Sequence, residues 1–389
     1  MQKTYKYRIY PTKKQEEKLN WTIEQCRILY NSYLVDRKNY YEKNGKGLSY
    51  NQQAGILTLD KKKIPILNDI YSQVLQDVLK RVDRAYKSFF RRLKEKRGKA
   101  GYPRFKSESR YDSITYPQAS GFEVTKQGLN LSKIGTIKLK KHRDWTGNLK
   151  TCTIKKEIDK WYVCLSVEYE TIKKPVPDKQ IGIDMGIKSF AVLSDGEIID
   201  NPEYLRKSEN KLVSKQRQLS KKKRRSKNRK KSKIRLAKLH HRIKNQRTDF
   251  LHKVSRRIID TCGFVAVEDL NIQGMIRNHY LAKSISDAGW GQFLNYLTYK
   301  AEEAGSKVEK VAPHYTSINC SVCGKTVPKT LSQRMHRCPF CNVVLGRDLN
   351  AAKNILLKST AGTAGSNAWE EAVHQCPSLN QEAPSERAG

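Results

Sequence analysis

The sequence predicts a multidomain protein with β and α/β parts: a strand and a block of helices, then short strands suited to a small antiparallel β-barrel, then an α/β body carrying a small zinc ribbon. Three observations lead there. Up to about residue 170 the pattern runs from one strand through long helical repeats to short strands separated by Gly and Asn turns. Three carboxylates, Asp184, Glu268 and Asp348, each close an apolar run or open a helix. Two Cys-x-x-Cys pairs lie just before the last of them. At 389 residues the chain is long enough for more than one buried core.

Lys3–Tyr10 alternates basic residues with Tyr5, Tyr7 and Ile9, as a strand with one buried face does. Thr12 and Gln15 form a capping box, and Leu19, Ile23, Cys26, Tyr30 and Tyr33 follow at helical spacing. Ser49 and Gln52 repeat the cap. A long helix is expected from about Asn68 to Arg97, with Val74, Val78, Val82, Ala85, Phe89 and Leu93 near one face and Lys80, Arg84, Lys87, Arg91 and Arg92 opposite. Gly101–Lys106 is a turn that sets Tyr and Phe rings beside Arg and Lys, suited to stack on bases and meet phosphates. Strands are expected at Ser113–Tyr116, Phe122–Thr125, Thr136–Leu139, Cys152–Ile154 and Trp161–Tyr169, short enough for a small barrel. Lys173–Asp178, with two prolines, reads as a linker.

In the second half, Ile181–Ile183 is a strand closed by Asp184, followed by a strand at Phe190–Leu193, an Asp195-Gly196 hairpin turn, and Glu197–Ile199. From Arg206 to Arg247 about half the residues are Lys or Arg. Leucines and isoleucines at seam spacing around the block predict two cationic helices joined near Ser226–Asn228. Phe264–Val267 is a strand closed by Glu268, Ser284–Ala304 a helix, and Lys307–Val311 a further strand. Cys320, Cys323, Cys338 and Cys341, with fourteen residues between the pairs, predict a structural Zn²⁺ site of four thiolates, with an iron–sulfur cluster as the alternative for the same ligand set. Asp348 opens a short helix to about Leu357, and Ser359–Gly389 has the composition of a disordered tail.

A lone Asp after a strand is usually a turn or cap residue. Three carboxylates converging above a sheet are instead a hard-oxygen set for Mg²⁺ or Mn²⁺, suited to phosphodiester hydrolysis. The charge agrees: 77 Lys and Arg against 38 Asp and Glu give a formal net charge of +39, which calls for a polyanion partner such as nucleic acid. No apolar stretch is long enough to span a bilayer and no signal-peptide core opens the chain, so a soluble cytoplasmic protein is expected, nucleoid-associated when on DNA. Nine cysteines, four in Cys-x-x-Cys pairs, suggest metal chemistry and not a disulfide framework.

The stretches Gly182–Gly186, Val265–Asp269 and Gly346–Asn350 resemble the three RuvC motifs of the TnpB family, insertion-sequence-encoded nucleases related to type V CRISPR effectors. The resemblance covers nearly the whole chain, and Gly101–Lys106 resembles a recurrent element of the family. Gly346 departs from it, standing where the family often has a polar residue. The order Asp–Glu–Asp differs from the Asp–Asp–Glu of cut-and-paste transposases.

The resemblance implies an RNase H-like (RuvC) nuclease domain at residues 181–312 and 344–358, with the basic helical insertion at about 203–260 and the zinc ribbon at 313–343. It also implies a wedge barrel at 1–10 and 101–172, a helical recognition lobe at 11–100, a linker at 173–180 and a tail at 359–389. Asp184, Glu268 and Asp348 take the catalytic, Mg²⁺-binding positions. The implied activity is RNA-guided cleavage of double-stranded DNA beside a short transposon-adjacent motif, with a guide RNA from the transposon end and a monomer carrying one RNA. Two alternatives stay open: a non-cleaving regulator or transposition accessory protein, and a guide-independent, structure-specific nuclease.

Overall fold

Alternation in the first ten residues gives β1 (Gln2–Tyr10), with Tyr7 and Ile9 fully buried. The structure, a computed structural model, describes residues 1–95, 100–170, 175–330 and 332–361. It is a mixed α/β protein with three sheets among the described residues, and it divides into two units, Met1–Thr171 and Ile172–Gly389.

In the first unit β1 is followed by α1 (Lys13–Asn44), α2 (Tyr50–Lys63) and α3 (Ser72–Lys94). Both expected capping boxes form, Thr12 with Gln15 and Ser49 with Gln52, each satisfying otherwise unpaired amides at a helix start. The third helix starts later than its periodicity suggests, because Pro65–Asp69 forms a 3₁₀ turn first; residues 96–99 lie outside the described set. Arg37 of α1 is buried and bonds Gln53 of α2 and Asp83 of α3, tying the three helices through one satisfied cation.

The remaining strands are β2 (Ser113–Tyr116), β3 (Phe122–Thr125), β4 (Gly128–Leu131), β5 (Gly135–Lys140), β6 (Asn148–Glu157) and β7 (Lys160–Glu168). They form a seven-stranded antiparallel sheet in the order β2-β6-β7-β1-β5-β4-β3. The order ends at β2 and β3, and among the described residues no strand pairing joins these two to close a barrel. Strand β4 escapes sequence reading because only Leu129 and Leu131 mark it, between Gly and Asn.

The second unit holds β8 (Gln180–Met185), β9 (Ser189–Leu193), β10 (Ile198–Asp200), α4 (Tyr204–Ser220), α5 (Lys227–Thr261), β11 (Phe264–Glu268), α6 (Ile272–Met275), α7 (His279–Ala288), α8 (Trp290–Ala304) and β12 (Lys307–Val311). The ribbon strands β13 (Met335–Arg337) and β14 (Val344–Gly346) precede α9 (Arg347–Ala361). The five-stranded sheet runs β10-β9-β8-β11-β12, with β8, β11 and β12 parallel.

Of the expected linker 173–180, residues 173 and 174 fall outside the described set. Pro177 lies against Gly263, and Gln180 already opens β8. The single helix expected at Ser284–Ala304 is two, broken at Gly289, whose φ of +73° ends α7 and starts α8. Helix α9 continues to Ala361 with Ser359 buried, past the expected boundary at 358; residues 362–389, most of the expected tail, lie outside the described set.

The sheet has two different faces. Ile181, Ile183, Val265 and Val267 share a core with Leu251 and Ile258 of α5 and Phe293 and Leu297 of α8. The alternate residues face α9: Ala266 clusters with Ile355, and Phe264 and Leu356 pack beside them.

Candidate active site

The α9 face of the sheet carries the first two carboxylates. Parallel pairing sets Ala266 opposite Gly182 and Val267 opposite Ile183, so the next step along both strands places Glu268 beside Asp184 on one face. Glycine at 182 delivers the third. A β-carbon there would lie 2.1 Å from the carbonyl oxygen of Ala352, so strand and helix backbones touch. Asp184 is two residues beyond Gly182, on the same side of the strand, and Asp348 is one turn before Ala352, on the same side of the helix. The one close contact therefore brings Asp348 to strand-end carboxylates 164 and 80 residues earlier in the chain.

Electrostatics record that proximity. Burial, then the charges of Glu268 and Asp348, push the Asp184 carboxyl up to about 7, with Arg347 opposing. Glu268 is also raised by burial, opposed by a hydrogen bond from Thr316 and by the charge of Lys358. Asp348 accepts from Arg347 Nε at 3.2 Å. The three acids repel one another. Among the described residues, only the four ribbon thiols form a group of three or more His, Cys, Asp or Glu whose ligand atoms all lie within 4.8 Å, so the carboxylates are more widely spread. Three acids brought toward one another with one adjacent arginine still suit a hard divalent cation, which would offset the burial and the neighbouring negative charges that raise Asp184.

The ribbon shows the same local chemistry twice. Cys320 N–H donates to Lys325 O and Gly324 N–H to Cys320 O, while Cys338 N–H donates to Val343 O and Asn342 N–H to Cys338 O. Gly324 and Asn342 both adopt left-handed φ, +75° and +57°. Asn342 is thus the counterpart of Gly324, a place that Asn tolerates and that the sequence reading did not single out. Sulfur separations are 3.6 Å for Cys320–Cys341 and 3.5 Å for Cys323–Cys338. Tetrahedral Zn–S bonds of about 2.3 Å require about 3.8 Å, so the thiols fit the ion and are too far apart for disulfides. Strand β14 runs straight into α9, so the ribbon sets where the Asp348 helix starts.

The basic insertion is the pair α4 and α5, and both ends of α4 are bonded by side chains of neighbouring helices. Asp287 of α7 accepts from the Leu205 and Arg206 amides at the start of α4, and Arg229 of α5 donates to Leu219 O and Lys222 O at its end. Lys221–Arg225 at the junction are all exposed, so their charge faces solvent.

Sequence reasoning gives no role to Gly182 and Asn350, met only as members of motifs, or to Thr316 and Asn354; the structure sets Gly182 against Ala352, Thr316 on Glu268, and both asparagines on the segment from Thr316 to Ser321. A glycine inside a buried strand signals close backbone approach. Two asparagines four apart on an apolar helix signal a buried polar contact. Thr316 carries no local signal.

Three family profiles match the chain: one described as "Probable transposase" (OrfB_IS605) over residues 163–279, one as "Cas12f1-like, TNB domain" over 290–355, and one as "Helix-turn-helix domain" over 1–46. The last region is here one strand and one long helix, β1 and α1. The chain is 32% identical over 371 residues to the "Putative RNA-guided DNA endonuclease InsQ" of Escherichia coli K12, covering 90% of this chain and 91% of that one. It is 33% identical over 372 residues to a "Putative RNA-guided DNA endonuclease" of Streptomyces pristinaespiralis, covering 94% and 91%. A Cas12f1–sgRNA–target DNA complex solved by cryo-EM shares the fold, with a TM-score of 0.58 at 16% identity over 91% of this chain and 98% of that one. On the length and identity of the full-length matches, the chain belongs to the TnpB family.

Proposed function

We propose that this protein is an RNA-guided, metal-dependent DNA endonuclease with a single RuvC-like active site. The observation that carries the reading is the convergence of Asp184, Glu268 and Asp348 on one sheet face through the Gly182–Ala352 contact. The names of its full-length relatives and the net charge of +39 support the same substrate class.

In this reading the five-stranded sheet with α9 is the RNase H-like core, and the three carboxylates hold Mg²⁺ or Mn²⁺. Such ions, when bound, supply activation of a water and stabilisation of the leaving oxygen of the phosphodiester. The chain's own residues do the rest. Sheet register and α9 fix the separation of the acids, and burial excludes competing solvent around Glu268. The α4–α5 hairpin offers exposed cations to a nucleic-acid backbone without reading sequence. The sheet β1–β7 is the wedge, α1–α3 the recognition lobe; together they hold the guide RNA and read a short duplex motif beside the target. Zn²⁺ on Cys320, Cys323, Cys338 and Cys341 is structural.

Purification tests it. The chain should co-purify with RNA, seen as a raised 260/280 nm absorbance ratio, and should cut a DNA matched to that RNA in Mg²⁺. RNase pretreatment should abolish cutting, and Asp184→Ala should abolish cutting while DNA binding survives. Cutting that survives RNase would make this a structure-specific nuclease, and normal cutting by the variant would place the active site elsewhere.

A further inference from the structure

We infer that Thr316 is a positioning residue for Glu268, and that Asn350 and Asn354 lock it in place through the stem of the zinc ribbon, so that the thiol site and the acidic site are mechanically one. This rests on the reading of Glu268 as a metal-binding carboxylate.

Thr316 lies on the segment between β12 and the first zinc knuckle. Its Oγ1 sits 2.5 Å from Glu268 Oε1 and 3.0 Å from Pro313 O, with Thr316 3% and Glu268 9% exposed. A hydroxyl has one proton, and an ionised carboxylate can only accept. With Glu268 ionised, that proton goes to Oε1, fixes the carboxylate rotamer, and leaves Oε2 for a cation. No other hydrogen bond to the Glu268 side chain is seen among the described residues. Thr316 is therefore its orienting contact.

The segment carrying Thr316 is clamped by α9. Asn354 Nδ2 donates to Thr316 O at 2.8 Å and to Asn319 O at 2.7 Å. Asn350 Nδ2 donates to Asn319 O at 2.7 Å, and its Oδ1 accepts from Ser321 N–H at 2.9 Å. Asn319 and Ser321 flank Cys320. Both asparagines are buried, Asn350 completely, and they follow Asp348 by two and six residues on the same helix. One helix thus bears the third carboxylate and grips the segment that orients the second, and the gripped segment contains a zinc ligand. The ribbon acts on Glu268 as well as on the start of α9.

The test is Mn²⁺ binding to the full-length chain with its co-purified RNA, followed by the electron paramagnetic resonance signal of free Mn²⁺. The complex of the Asp184→Asn/Glu268→Gln double variant serves as the blank for ions held by RNA. Thr316→Val, nearly isosteric but without the hydroxyl, should weaken the Mn²⁺ class above the blank by about 10-fold or more. Its zinc content and RNA content should match those of the wild type, and Thr316→Ser should restore affinity to within about 3-fold. Asn354→Ala should weaken the same class although it touches no carboxylate. A residue important only for packing would lower the melting temperature and leave the Mn²⁺ affinity of the folded protein unchanged, so wild-type affinity in Thr316→Val overturns the inference. If Thr316→Val does not fold, Thr316→Ala, which cannot overpack, is read by the same criteria. If the wild type binds no Mn²⁺ above the blank, the metal reading of the acidic site fails; if it does and the Thr316 variants match it, only the positioning role fails.

Discussion

The four ribbon thiols come from 22 consecutive residues, whereas the three carboxylates are drawn from 165, yet both sites are suited to a cation. In the ribbon, each half is built by its own knuckle, with a left-handed residue after each Cys-x-x-Cys, and the two knuckles face each other with sulfurs 3.5–3.6 Å apart across them. The acidic site has no local scaffold. Its members are brought toward one another because two parallel strands share a register and a helix lies flush on a glycine. Short-range sites are written in spacing; long-range sites depend on how whole elements pack, and small changes far from the chemistry can spoil them.

The contrast between the two sites predicts different damage from different mutations. Asp184→Ala or Glu268→Ala should cut the cleavage rate by about 10³-fold or more, equivalent to about 4 kcal/mol of transition-state stabilisation, with DNA binding preserved. The same acids cost the fold something, so Asp184→Asn should raise the metal-free denaturation midpoint at pH 8 while being inactive. In the ribbon the order reverses: Cys338→Ser should lose zinc first, measured by metal analysis, and cleavage should fall by about 10²-fold because the start of α9 is no longer held.

Gly182→Ala tests the joint on which the acidic site depends. Its new methyl meets a backbone oxygen, so β8 and α9 must separate, destabilising the unit by about 1–3 kcal/mol in chemical denaturation. Cleavage should drop with Zn²⁺ content unchanged. If Gly182→Ala cuts normally, the assembly is not set by that contact.

Acidity gives a smaller effect with a definite sign. The Asp184 carboxyl is raised in the folded chain from 3.8 to about 7. Below about pH 4 it is protonated in both states; between about pH 4 and 7 only the unfolded chain ionises it, so metal-free stability falls across that window. Mg²⁺ should therefore raise the melting temperature more at pH 8 than at pH 5, and an equal shift at both would contradict the assignment. The smallest expected change is in the insertion: replacing Lys221, Lys222 and Lys223 with Ala should flatten the salt dependence of DNA binding by about 0.9 log units for each phosphate the variant no longer neutralises.

Much of this was legible from sequence where signals are local. Strands β8, β9, β11 and β12, both capping boxes and the thiol quartet are marked by alternation, cap residues and spacing. The three acids stand at strand ends and a helix start, in an order that resembles the family's. What stayed hidden was tertiary: the break at Gly289 inside an apolar helical pattern, the 3₁₀ turn before α3, and the hold of Thr316 on Glu268 across 48 residues. Gly182 was visible as a residue within a motif, but only the packing of α9 shows why no side chain fits there.

Acids far apart in the chain should come together around divalent ions. Anomalous scattering from a Mn²⁺-loaded crystal of the RNA–protein complex tests it most directly. A Mn²⁺ peak is expected with oxygens of Asp184, Glu268 and Asp348 about 2.1 Å from bound metal. A peak that leaves out any one of the three, or Asp348 still turned to Arg347 beside an occupied metal, would contradict it.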